Sequence, residues 1–197
     1  VMVWTQLDAG TEQAHAVALD DSLRAKTLPF AVTPEGQSIQ KPEIIAYKDR
    51  FLVSYWDTRG PEAGVFARFL DADGRIASSA TLIAQAIGGA NSPTVSVLQD
   101  ESLLFSWVVP SDKNTDDLFL KHYAQLSDQP EAVRLTGLRP NPVGKTRVRF
   151  PVAAVGPDAL HLAFRLERDP ERQVTHLRIP LEELKGKGVS PEGQTSS

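Results

Sequence analysis

The chain has 197 residues, 41% of them hydrophobic and 23% charged, with a formal net charge of −4. That is the balance of a globular protein able to bury a core. The mild acidity and scattered Lys and Arg argue against a nucleic-acid partner, and no run reaches the roughly 18 apolar residues of a membrane helix. Cysteine is absent, which excludes disulfides, zinc–thiolate sites and cysteine nucleophiles and fits a secreted or periplasmic bacterial protein.

The first element, "VMVW", lacks an initiator Met and opens inside an apolar run that reads as a strand, with no signal-like segment before it. The expectation is a processed product or a piece of a longer chain. Further on, "KPEIIAYKDRFLVSYWDTRG" (41–60) gives two apolar runs around a polar turn, rich in the β-branched and aromatic residues that strands prefer. "GVFARFL" (64–70) alternates, with Phe66, Arg68 and Leu70 on one face, and "DADG" follows as a turn whose Gly accepts positive φ. "ATLIAQ" (80–85) is a weaker fourth run.

The pattern then recurs. "PTVSVLQDESLLFSW" (93–107) lies over 42–56 without a gap, placing Pro42 on Pro93 and Trp56 on Trp107, a period of 51 by both markers (93 − 42 and 107 − 56). A third copy starts at Pro151, one residue shorter, with Phe164 in the Trp place. An N-terminal partial copy sets Trp4 against Trp56. The downstream halves agree as well, Asp20 with Asp71 and Arg24 with Arg75, and Lys121 stands where Arg68 stood. Four strands in about 50 residues is the blade period of a β-propeller.

The predicted fold is therefore all-β: four-stranded antiparallel blades, three near-complete (42–92, 93–150, 151–188) and one partial (1–41), either closing as a four-bladed ring with another segment supplying the missing strand or, as the favoured reading, belonging to a larger propeller. Each opening Pro is expected at a strand's first residue, where it removes no ladder donor. Trp4, Trp56 and Trp107 are expected to end second strands and pack between blades. "PLEELKGKG" (180–188) has a short helix's punctuation, although blade register makes it the end of a third strand. The polar tail 189–197 reads as disordered.

With "LVSYWDTRG" and "FARFLDADG" in place, the chain resembles the repeats of bacterial cell-surface and secreted β-propeller proteins, distantly similar to sialidase-type and integrin-type propellers. The resemblance implies a propeller in an extracellular, cell-surface or periplasmic setting. It does not fix a ligand.

The loops between second and third strands emerge on one face by repeat symmetry: 5–13, 57–64, 109–117 and 166–173. A rigid scaffold commonly binds its partner on such loops. Asp57, Arg59, Asp112, Asp116, Arg165 and Arg168 are the candidate ligand-binding residues, with Arg59, Arg165 and Arg168 following equivalent second strands toward one rim. Asp71 and Asp73 resemble a Ca²⁺ loop but are too few acids for one, so a hairpin turn is the simpler reading and Ca²⁺ is the only cofactor considered.

The sialidase Asp-box is absent, and no carboxylate pair stands out for glycoside hydrolysis. His15, His122, His161 and His176 fall in strands with no close sequence pair, and Ser96, Ser102 and Ser106 lack a Gly-x-Ser-x-Gly context. The reading is a non-catalytic scaffold that recognises a protein or glycan through one loop face. Two alternatives stand beside it: part of a secreted sialidase-like or other glycan-active enzyme, and a subunit completing a multi-chain propeller.

Overall fold

The computed structural model describes residues 1–197 except 9, 35–37, 60, 62, 86–90, 111–115, 127–132, 135–145, 169–170, 186–191 and 196–197. At 91–92, 133–134, 146–151, 168, 171, 184–185 and 192–195 it describes the backbone alone. The chain forms two compact units, Val1–Gly89 and Ala90–Ser197.

In the first unit, β1 (Met2–Asp8), β2 (Thr11–Val17) and β3 (Phe30–Ala31) make a three-stranded sheet. A four-stranded sheet follows, of β4 (Ile39–Tyr47), β5 (Arg50–Asp57), β6 (Gly64–Leu70) and β7 (Thr81–Gln85). The second unit holds a third sheet of β8 (Asn91–Val97), β9 (Leu103–Pro110), β10 (Asp116–Tyr123) and β11 (Val133–Arg134). Its fourth sheet contains β12 (Thr146–Val155), β13 (Ala159–Arg168), β14 (Glu171–Pro180) and β15 (Glu192–Thr195), with a short helix α1 (Leu181–Lys185) before β15. All strands pair antiparallel with their chain neighbours, and the first sheet lacks the strand that opens each of the others, as the partial repeat predicts.

Four details differ from the sequence reading. The prolines do not open their strands. Pro42, Pro93 and Pro151 each sit inside the first strand at a break in register, between Gln40 and Glu43, Asn91 and Thr94, and Arg149 and Val152. A bulge is where a residue without an N–H interrupts the ladder least. The tail is not wholly irregular: Glu192–Thr195 pairs with β14, since an edge strand needs backbone partners rather than apolar side chains. At 180–188, β14 ends at Pro180 and the helix takes over, with Glu182 and Glu183 in its first turn.

The fourth difference concerns the tryptophans. The turn between β4 and β5 has two residues, Lys48 and Asp49, whereas that between β8 and β9 has three, Gln99 to Glu101, closed by Leu98 N–H donating to the Ser102 carbonyl (2.8 Å). The extra residue shifts β9 by one place. Because strand faces alternate, Trp107 then corresponds to Tyr55, not to Trp56.

Cross-strand partners agree: Tyr55 stands opposite Phe66 and Trp107 opposite Phe119, stacked at 5.9 Å and 5.8 Å between centroids. Trp4 opposite His15 repeats the pair at 6.0 Å, and Phe164 opposite Thr175 keeps one member of it. Trp4 and Trp107 are thus mid-strand, and Trp56 lies on the opposite face of its sheet from the repeated ring.

The cores follow this facing. In the first unit Val53, Tyr55 and Leu70 pack with Ala14, Ala16 and Val32. In the second, Leu104, Val108, Leu118 and Leu120 pack with Leu160, Leu162, Phe164 and Leu177. The repeated ring of the second and fourth sheets, Tyr55 and Phe164, belongs to each unit's core.

Candidate functional site

The predicted residues Asp57 and Arg59 come together. Asp57 is the last residue of β5, opposite Gly64, and is only 5% exposed. Its Oδ1 accepts the Arg59 backbone N–H at 3.1 Å and faces the Arg59 Nε at 3.4 Å. Gly64 is required there, since a Cβ would lie 2.5 Å from the Ala84 carbonyl oxygen of β7. Beneath it on the same face, burial pushes the Tyr55 hydroxyl up to about 12, with Asp57 adding to the rise and Arg68 opposing it. Arg68 donates to the Val32 carbonyl, and among the described residues neither the Tyr55 hydroxyl nor the Arg68 Nε has a partner.

The first sheet carries a second locus that sequence reading assigned to a loop. Residues 5–8 and 11–13 are strand, the ends of β1 and β2. Asp8 therefore lies at the strand end: its Oδ2 is 2.7 Å from the His15 Nε2, and its Oδ1 accepts from the Gln6 Nε2 at 2.9 Å. The Gln6 amide and the His15 ring hold the Asp8 carboxyl below the usual carboxylate range, against some desolvation. Trp4, half-buried, flanks His15 on the same face, with buried Gln13 beside it.

These two loci are equivalent places. Tyr55 corresponds to Trp4, so Asp57 takes the place of Gln6 and Arg59 that of Asp8. Each hairpin end presents a carboxylate and a nitrogen donor two residues apart, in opposite order. Sequence comparison missed Asp8 because Trp4 had been aligned to Trp56. The overlooked signal was alternation, which puts Trp4, Gln6 and Asp8 on one side.

The remaining candidate ligand-binding residues belong to the second unit. Arg165 is inside β13, not beyond it, because β13 runs ten residues; its guanidinium pairs with Glu167 at 2.5 Å. Arg168 ends β13 opposite Glu171. Asp116 begins β10 opposite Pro110, with buried Asp117 beside it, and Asp112 lies outside the described residues.

Asp71 serves its turn: its Oδ1 accepts the Arg75 N–H at 2.8 Å, and Gly74 takes φ +83°. Asp20 does the same for Arg24 at 2.9 Å, with Leu23 at φ 61° in the glycine's place. Asp73 is exposed on the same turn, and among the described residues no three His, Asp or Glu side chains converge on a metal position.

Two side-chain pairings were invisible in sequence. Ser102 Oγ lies 2.8 Å from the His122 Nε2 and donates to the Asp100 carboxylate. The carboxylate thus accepts from the serine hydroxyl, and Ser102 is 3% exposed. On the fourth sheet the His161 Nδ1 and His176 Nε2 are 3.0 Å apart, so these two histidines are a close pair after all.

No protein-family model matches the chain, and no curated protein sequence is similar to it. A solved structure, however, shares its fold. A solved endo-arabinase from Bacteroides thetaiotaomicron superposes over 98% of this chain and 80% of its own, with a TM-score of 0.56 at 9% identity. The chain is thus an all-β protein of propeller type.

Proposed function

We propose that the chain is a carbohydrate-directed propeller of the glycan-active kind, working in an extracellular, cell-surface or periplasmic setting. The observation that carries this reading is the structural likeness to an endo-arabinase over 98% of the chain. The two hairpin ends support it chemically. A sugar offers hydroxyl groups on its rim and C–H groups on its faces. The Asp8 carboxylate, fixed by Gln6 and His15, is an oriented acceptor for hydroxyls, and the half-buried Trp4 indole is an apolar platform beside it. Asp57 and Arg59 supply an acceptor and a donor at the equivalent place.

Binding without cleavage is the second reading, and one feature favours it: each carboxylate is already engaged by a nitrogen donor, whereas glycoside cleavage also needs a protonated acid. Incubation with arabinan and a panel of other polysaccharides, followed by melting scans and assay of new reducing ends, separates the two. Polymer-dependent stabilisation with new ends indicates an enzyme; stabilisation without them indicates a binder. No response to any polymer defeats the carbohydrate reading.

A further inference from the structure

The outward face of the fourth sheet carries a group of side chains that the carbohydrate reading does not use. On β13 and β14, His161 and His176 are diagonal neighbours, since His161 pairs with Arg178 and His176 with Ala163. Their rings are nearly parallel, 9° between planes and 5.2 Å between centroids, and the His161 Nδ1 and His176 Nε2 approach to 3.0 Å. His176 is exposed and His161 half-exposed, and both lie on a solvent-facing surface where Val152 and Val174 are 62% and 63% exposed.

We propose that this pair is a two-point chelate for a borderline divalent cation of the Cu²⁺ or Ni²⁺ type. Imidazole nitrogens bind such metals at about 2.0–2.1 Å, so two of them 3.0 Å apart subtend about 91–97° at a shared ion. A regular tetrahedron would need a separation of about 3.3–3.4 Å at the same bond lengths. The spacing therefore suits the right-angled positions of a square or octahedral metal, and Cu²⁺ also heads the affinity order for nitrogen ligands.

The backbone ladder between β13 and β14 already holds the two side chains next to each other, so that only a turn of each ring remains to be ordered. To bind, the ring that donates the shared proton moves it to its other nitrogen, and both lone pairs turn to the metal. The charges around the pair are largely balanced. Arg178 is bonded to Asp158, Arg165 to Glu167, and Arg172 stands opposite Glu167 in register. From the flanking strands, Val152 and Ala154 stand opposite Ala163 and His161, and Gln194 and Glu192 opposite His176 and Arg178. The other metal positions are left for water or an added ligand.

The test is titration of the full 197-residue chain with Cu²⁺ and Ni²⁺, followed by calorimetry and by electron paramagnetic resonance for copper. One equivalent bound with two coordinated nitrogens is expected. His161→Ala and His176→Ala should each weaken it by roughly 10–100-fold or more, a loss that even outer partners of a metal ligand can produce. Undiminished binding in either variant overturns the chelate. Should a variant unfold, copper broadening of imidazole proton signals in the unaltered chain decides: His161 and His176 must broaden together and before His15 and His122. The carbohydrate reading concerns the first unit, and its failure or success leaves this result untouched.

Discussion

The second and third sheets carry the same repeat marks, Pro42 over Pro93 and Trp56 over Trp107, yet the two tryptophans point to opposite faces. The difference is one residue in the first hairpin turn, two in one sheet and three in the other. A repeated residue in a β-protein thus marks a repeated environment only if every turn before it has the same length. The ring that does repeat is Trp4, Tyr55, Trp107 and Phe164, and it is identified by its partner across the ladder.

The harshest way to break that comparison is to delete Glu101, which holds φ +62° in the longer turn. The shortened turn pushes Trp107 out of its stack with Phe119 and carries the alternation of β9 with it. Loss of a cooperative melting transition is expected; retention of the original melting temperature would contradict the register argument.

Next in size is Trp107→Ala, which empties a site where the ring is 3% exposed and should destabilise by about 3–5 kcal/mol in urea titration. Trp56→Ala removes a half-buried ring outside the repeated place and should lose about 2 kcal/mol or less. Equal losses would argue that the two tryptophans are equivalent after all.

Gly64→Ala sharpens the contrast between the first two sheets. Its methyl group meets the Ala84 carbonyl of β7, an expected cost of about 1–3 kcal/mol. The equivalent Gln13 carries a full side chain at a place where the ladder of β3 has ended and Val32 and Thr33 bond to Ala14 beside it. Gln13→Ala should therefore produce no comparable clash.

The smallest effect is electrostatic. The Asp8 carboxyl has a depressed folded-state pKa, so its contribution is present above the unfolded value and fades as pH falls through the folded one. Melting temperature should drop in that acidic window, and Asp8→Asn should flatten the drop.

Much of the architecture was legible in the sequence. The period, the strands and the missing opening strand follow from apolar alternation and from turns such as "DADG", which chemistry specifies locally. What stayed hidden depends on register. Trp4 was aligned to the wrong neighbour, so the Asp8–His15 contact across a hairpin was taken for loop. His161 and His176 are fifteen positions apart and meet only because β13 and β14 pair in one particular register. Arg165 was placed on a rim because the length of β13 was underestimated.

The carbohydrate reading puts its ligand at the two equivalent hairpin ends, and a polysaccharide titration of three variants tests that placement most directly. With arabinan or whichever polymer of the panel binds the unaltered chain, Trp4→Ala and Asp8→Asn should weaken binding at least tenfold, or about 1.4 kcal/mol, with melting still cooperative. Asp57→Asn should weaken it as well. Unchanged affinity in all three variants would contradict the assignment of the ligand to these hairpins.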